Sequence, residues 1–211
     1  MKIKELKESN DFLNKLLENI ASAVFLTDNS IRIKQINKSC QIIFHKDESQ
    51  MLNQLCGDAM GCINVTKYKK DCGETPACSS CKLRQGILKV LNKNQGIENQ
   101  ILERHFIISD KKINKYLEYS IEPLEYMGEN MAIVIIHDIT QLESQKRAII
   151  KINDEINNEL DIAKRVQEKI LPPKKYETNN LLMEVFYRPF MKISGDFYYL
   201  TKLEDDKEFI F

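Results

Sequence analysis

Residues 24–37 read VFLTDNSIRIKQIN, and the fold follows from how this stretch is parsed. Two short apolar runs, Ala23–Asp28 and Ile31–Asn37, flank the turn formers Asn29 and Ser30, and Ile31 and Ile33 alternate with polar neighbours. That is the pattern of an antiparallel strand pair with one buried face. Upstream, Ile3, Leu6, Phe12, Leu13, Leu16, Leu17 and Ile20 recur at helical spacing, which predicts an amphipathic helix over residues 1–20. Downstream, a short helix is expected from Ser39 to His45. A cysteine-rich segment then leads into a second helix, with Thr75-Pro76 as N-cap and first helical residue and Leu83, Ile87, Val90 and Leu91 on its apolar face. Asn94-Gln95-Gly96 ends it. Three more strand patterns follow, Ile97–Ile108, Ile113–Leu124 and Met131–Asp138. Helical segments between the first two strands and the last three imply an α+β domain, an antiparallel five-stranded sheet with helices on one side.

The whole chain has 211 residues, 31 Lys+Arg balanced by 31 Asp+Glu, and 43% hydrophobic residues. This is enough to bury a core, and the zero net charge lacks the basic footprint of a nucleic-acid binder. The longest apolar runs, such as Met131–Ile136, fall far short of a bilayer span, and MKIKELKESN lacks the apolar core of a secretory signal. A cytoplasmic location is therefore expected, with no membrane and no nucleic-acid partner. Thiols stay reduced there, so clustered cysteines point to a metal or to redox chemistry. Five of the six cysteines lie between Cys56 and Cys81.

After Asp138-Ile139-Thr140 the pattern changes. Residues 141–171 contain no Gly or Pro, and Leu142, Ile149, Ile152, Ile156, Leu160, Ala163 and Ile170 follow three/four spacing. Gln145 and Gln167 fall on the same seam, and two steps of four around Ile156 break strict phase. A long helix forming a parallel coiled-coil homodimer with a local stutter is expected. Leu171-Pro172-Pro173 ends it. Residues 172–211 show strand patterns at Leu182–Tyr187 and Glu208–Phe211 around SGDFYYL. They are too few for a core of their own, so the chain reads as a piece of a longer protein.

Two resemblances can be named. Residues 10–140 resemble a PAS sensor domain, on the strand pair VFLTDNSIRIKQIN, Asn37 after the second strand, the three closing strands and the HDIT exit at His137–Thr140. The insertion carrying Gly61-Cys62, Cys72-Gly73 and Cys78-Ser-Ser-Cys81 resembles the cysteine-bearing PAS domains of bacterial signalling proteins. Residues 160–211, with LDIAKRVQEKILPP and YRPFMKISGDFYYL, are similar to the opening of the stage II sporulation protein E and RsbU-like branch of type 2C serine/threonine phosphatases. Ser194 and Tyr199 depart from that family's glycine and acidic residue. The resemblance implies the start of a phosphatase α/β sandwich at residues 172–211, with Asp196 a ligand of paired Mn or Mg ions. Its substrate would be a phosphoserine or phosphothreonine regulator, such as an anti-sigma-factor antagonist.

The chemistry of each motif sets its expectation. Cys62, Cys72, Cys78 and Cys81 can close around an iron–sulfur cluster or a tetrahedral Zn, or can stand as metal-free thiols with a Cys78/Cys81 dithiol. Cys78 and Cys81 are expected in the first helical turn, where the helix dipole stabilises thiolate. Cys56 is an alternative ligand, and Cys40, beside Ile42 and Ile43, is a core residue. His45, His105 and His137 form no spaced cluster and are expected to be structural. No Gly-rich phosphate loop and no Asn-Cys-Arg photoreactive sequence is present. One aspartate cannot assemble a two-ion site, so these 211 residues are expected to lack phosphatase activity. The leading expectation is a PAS sensor regulating a phosphatase. The rival is a non-catalytic redox or metal-binding module acting by dimerisation and partner binding.

Overall fold

In the computed structural model, residues 14–126, 128–177, 182–202 and 208–210 are described. The chain divides into two compact units, Met1–Ser144 and Gln145–Phe211.

The first unit is built on β1 (Ala23–Thr27), β2 (Ile33–Ile36), β3 (Ile97–Ile108), β4 (Lys111–Tyr126) and β5 (Glu129–Asp138). They form one antiparallel sheet in the order β2-β1-β5-β4-β3. Between β2 and β3 come α1 (Lys38–Phe44), α2 (Glu48–Met51), α3 (Cys56–Met60), α4 (Ile63–Tyr68), a 3₁₀ turn at Pro76–Cys78 and α5 (Lys82–Lys93). This is the expected α+β arrangement and the PAS fold. Strand alternation determines which side chains meet the helices. Phe25, Leu117, Tyr119, Ile121, Val134 and Ile136 all point one way and are buried, packing with Phe44, Ile87 and Val90. Phe44 meets Phe106 with tilted rings 5.7 Å apart.

Several boundaries differ from the sequence reading. Ile31 lies outside β2 with a φ of 60°, although its side chain is buried as expected. The segment between α1 and α5 holds three short helices that its irregular pattern did not announce. Thr75-Pro76 opens only the 3₁₀ turn, and α5 begins at Lys82 with Cys81 as its N-cap. Of the N-terminal helix, residues 14–19 are helical, with Leu16, Leu17 and Ile20 exposed. Ile3, Leu6, Phe12 and Leu13 lie outside the described residues.

Asn37 ties the front of the domain together. Its Oδ1 accepts from Val24 N at 3.0 Å and from Cys40 N at 3.3 Å, capping α1. Its Nδ2 donates to Leu17 O at 3.0 Å and to Ser22 O at 2.9 Å. At the other end, Asp138 accepts from the backbone and hydroxyl of Thr140 and pairs with Lys115. Burial raises the Asp138 carboxyl, but these partners outweigh it and hold it below the usual carboxylate range. Thr140 Oγ1 in turn accepts from Tyr116 N at 3.0 Å, so the HDIT exit fastens the start of the last helix to β4.

That helix, α6 (Thr140–Ile170), runs from the first unit into the second and has no buried residue. In the second unit β6 (Lys175–Glu177) pairs with β7 (Leu182–Glu184), and β8 (Leu200–Lys202) with β9 (Glu208–Ile210). β7 is shorter than the expected Leu182–Tyr187; of the expected Glu208–Phe211 strand, residues 208–210 are in β9 and Phe211 lies outside the described residues. No described helix is long and apolar enough to cross a membrane.

Asn37 is 4% exposed, and Asn37→Ala would leave the Val24 N–H without its acceptor and the buried Ser22 carbonyl without its donor, while Cys40 N keeps the Asn37 carbonyl at 3.1 Å. The substitution is expected to lower unfolding free energy by roughly 1–3 kcal/mol, read from the denaturant midpoint.

Candidate functional site

The cysteine segment is fastened to the sheet by its backbone. Ile107 N donates to Gly61 O at 2.7 Å, and Cys62 forms an isolated antiparallel bridge with Phe106 of β3. Gly61, at φ 73°, ends α3, and a Cβ there would stand 2.5 Å from Ile107 O. Only glycine accepts both conditions. The bridge places Cys62 beside Arg104 of β3, whose Nη1 donates to Cys62 Sγ at 3.6 Å.

Cys72 arrives on a loop held from two sides. Its N–H donates to Asp58 Oδ2 of α3 at 3.1 Å, and its carbonyl accepts from Arg84 Nη1 of α5 at 3.3 Å. The same Arg84 nitrogen lies 3.9 Å from Cys72 Sγ. Gly57 leaves room for this thiol, since a Cβ at that position would stand 2.7 Å from Cys72 Sγ. Cys78 Sγ receives Gly73 N–H at 3.1 Å and lies 3.0 Å from the Thr75 hydroxyl. Thr75 thus serves the thiol rather than capping a helix. Cys81 is the N-cap of α5.

The four expected ligands, Cys62, Cys72, Cys78 and Cys81, and the alternative Cys56 all line one cavity, which encloses about 30 Å³. Ile31, Leu83, Leu102 and Phe106 form its apolar wall, and Arg84 and Arg104 are its charged residues. Cys40 lies elsewhere, fully buried in the core with its thiol donating to Val24 O. None of the three histidines lines the cavity. His137 Nδ1 instead shares a 2.7 Å hydrogen bond with Ser22 Oγ.

Environment divides the thiols. Burial pushes Cys40 up to about 12 and Cys56 well above an ordinary thiol. Burial also raises Cys72, to about 11. Cys78 goes the other way. Burial would raise it, but the Thr75 hydroxyl, the Gly73 and Thr75 backbone and the Arg84 charge together bring it below an ordinary thiol. The expected helix-dipole stabilisation is therefore replaced at Cys78 by a local nest of donors, because α5 starts after it.

A soft all-thiol donor set beside two cations suits zinc or an iron–sulfur cluster. A single tetrahedral zinc needs sulfurs about 3.8 Å apart. Among the described residues no three His, Cys, Asp or Glu side chains converge on such a single-ion position. The thiols surround a space instead. Sequence reasoning missed Arg84, Arg104, Thr75 and Gly57. Arg104 did carry a signal, a charge at the inward parity of Leu102, Phe106 and Ile108 along β3.

In the second unit Asp196 sits on an exposed loop. Ser194 Oγ donates to Asp196 Oδ2 at 3.1 Å and Asp196 N–H donates back to Ser194 Oγ at 3.1 Å. The serine that departs from the phosphatase pattern therefore engages the carboxylate. Gln167 of α6 clasps the same loop, donating to Ser194 O at 2.6 Å and accepting from Ser194 N at 3.3 Å. Lys192 pairs with Asp161 at 2.9 Å. Among the described residues, no group of three His, Cys, Asp or Glu side chains gathers at Asp196.

No family model matches the chain, and neither does any curated protein. Among solved structures it is similar to the PAS domain of nitrogen regulation protein NR(II) from Vibrio parahaemolyticus, at 15% identity and TM-score 0.41, covering 60% of this chain and 97% of that one. The PAS domain of an HTR-like protein from Haloarcula marismortui gives 18% identity and TM-score 0.46, covering 64% and 96%. The PAS domain of Bordetella pertussis BvgS gives 15% and 0.42, covering 70% and 98%. At these values the PAS assignment rests on this chain's own sheet order and helix placement.

In metal-free, reduced protein, the iodoacetamide rate at Cys78 is expected to rise with pH at a midpoint below that of an ordinary thiol. Thr75→Val should move that midpoint upward, and Cys40 should stay unmodified while the protein is folded. Mass spectrometry of peptides across a pH series measures all three.

Proposed function

We propose that the first unit is a PAS sensor module whose ligand is an iron–sulfur cluster held by Cys62, Cys72, Cys78 and Cys81. The carrying observation is the common cavity walled by five thiols and two arginines. Four thiols beside two guanidiniums are a soft, charge-compensated donor set of the kind an iron–sulfur cluster takes. When bound, the cluster would supply one-electron and oxygen-sensitive chemistry. The protein's residues do the rest. Thr75 and Gly73 hold the Cys78 thiol, Asp58 and Arg84 position Cys72, and Leu102, Phe106 and Leu83 form the apolar wall. Cys56, buried with its thiol donating to Ile31 O, is the spare thiol of the cavity.

α6 leaves the sensor through Asp138 and Thr140, and its Gln167 clasps the loop that carries Asp196. A shift or rotation of α6 would move that loop, which supports regulation of a type 2C phosphatase that uses Asp196 as one Mn or Mg ligand and acts on a phosphorylated regulator. The partner of α6 is a second copy of the chain. Leu142, Ile149, Ile152 and Ile156 are exposed at 61%, 59%, 53% and 48% at coiled-coil spacing, a stripe one helix cannot bury alone.

Two experiments test this reading. Protein purified without oxygen should carry iron and acid-labile sulfide with visible absorption, which Cys78→Ser should reduce by more than half and Cys40→Ser should leave intact. Zinc alone, or no metal, would overturn the cluster. In sedimentation equilibrium the chain should behave as a dimer and the double variant Ile152→Asp, Ile156→Asp as a monomer. An unchanged mass would overturn the coiled-coil seam.

A further inference from the structure

The inward row of β3 reads Leu102, Arg104, Phe106, Ile108, and its three apolar members are 5%, 0% and 2% exposed. A guanidinium in such a row loses hydration and needs anionic compensation. Ordinarily a carboxylate provides it. Here the bonds of both cavity arginines go to the cysteines instead, Arg104 to Cys62 Sγ and Arg84 to the sulfur and carbonyl of Cys72. Among the described residues neither pairs with a carboxylate. The Nε–H of Arg104 is moreover buried with no acceptor. It is a donor on the cavity wall awaiting an anion.

The charge balance is specific. If the four thiols were neutral, the cavity would hold two uncompensated cations. Four thiolates around an inorganic core of charge +2 carry a net charge of −2, which Arg84 and Arg104 match. Burial of the Arg104 guanidinium is thereby offset by thiolate charge, and its remaining N–H gains an acceptor.

We propose that Arg104 is the residue that sets the reduction potential of the cysteine-held centre, with Arg84 as the second counter-charge. The inference rests on the iron–sulfur reading above. One electron taken from a reduced dye raises the negative charge facing Arg104 from two to three, and no bond is made or broken. The dye is oxidised by one electron. Arg104 stabilises the added charge through its fixed positive charge and its N–H donors, so its removal makes reduction harder. Arg104 is a positioning residue, acting on the ligands rather than on a substrate.

The test is a dye-mediated potentiometric titration of anaerobically purified protein, with iron and sulfide measured on each sample. Arg104→Gln is expected to lower the reduction equilibrium constant at least tenfold, which for a one-electron couple is about 59 mV more negative. Arg104→Lys, which keeps the charge but loses the planar fork, should fall between wild type and Arg104→Gln. Arg84→Gln should shift the potential the same way. If Arg104→Gln fails to load iron, Arg104→Lys decides the matter, a negative shift supporting the inference and an unmoved potential overturning it. Loaded variants with wild-type potential would overturn this inference alone. Wild-type protein without iron and sulfide would overturn the cluster reading on which it rests.

Discussion

Where Gly61 and Cys62 lie against Ile107 and Phe106, the long excursion between β2 and β3 is fastened to the sheet. Two backbone groups and one missing Cβ make that contact. A side chain at Gly61 would collide with the Ile107 carbonyl and would have to adopt a left-handed backbone as well. With the contact in place, Cys62 is fixed beside Arg104, and α3 and α4 are set at either side of it. Gly57 and Asp58 on α3 then receive the Cys72 loop, and Arg84 closes it from α5. The cavity is a consequence of this docking and has no existence in any one segment.

Differing environments give six chemically identical thiols different properties. Cys40 and Cys56 are buried with their thiols donating to backbone carbonyls, and burial favours the protonated form. Cys78 is surrounded by donors, which favour the thiolate. Two guanidiniums, neither paired with a carboxylate among the described residues, complete the cavity. Burying polar groups without compensation costs free energy, and the proposed dianionic centre would satisfy the cations and the thiols together.

At the far end of α6 the coupling is mechanical and local. Gln167 uses both its amide N–H and its carbonyl oxygen on one residue, Ser194, and Ser194 uses its hydroxyl on Asp196. The carboxylate is thereby referred to the helix through two hydrogen-bonded steps. α6 carries an exposed apolar stripe and no buried residue, and in the proposed homodimer the second copy would set its register.

Sequence alone determined the periodic parts. Strand alternation around Phe25, Ile33, Tyr119 and Val134, the uninterrupted helix of residues 140–170 and its stop at Pro172-Pro173 were legible because their patterns are local and repeat. The candidate ligands were legible as residue types at close spacing. The start of α5 was misread, because Thr75-Pro76 satisfies the rules of a helix N-terminus while its hydroxyl is claimed by the Cys78 thiol. The three short helices before it were not legible, since a helix of four to six residues is stabilised by docking and carries too little periodicity of its own. Only the tertiary structure decided that five thiols share one cavity and that Arg84 and Arg104 face them. Arg104 is separated by 42 residues from the Cys62 it meets, and a contact across that distance is set by strand register and backbone docking, which no local pattern encodes.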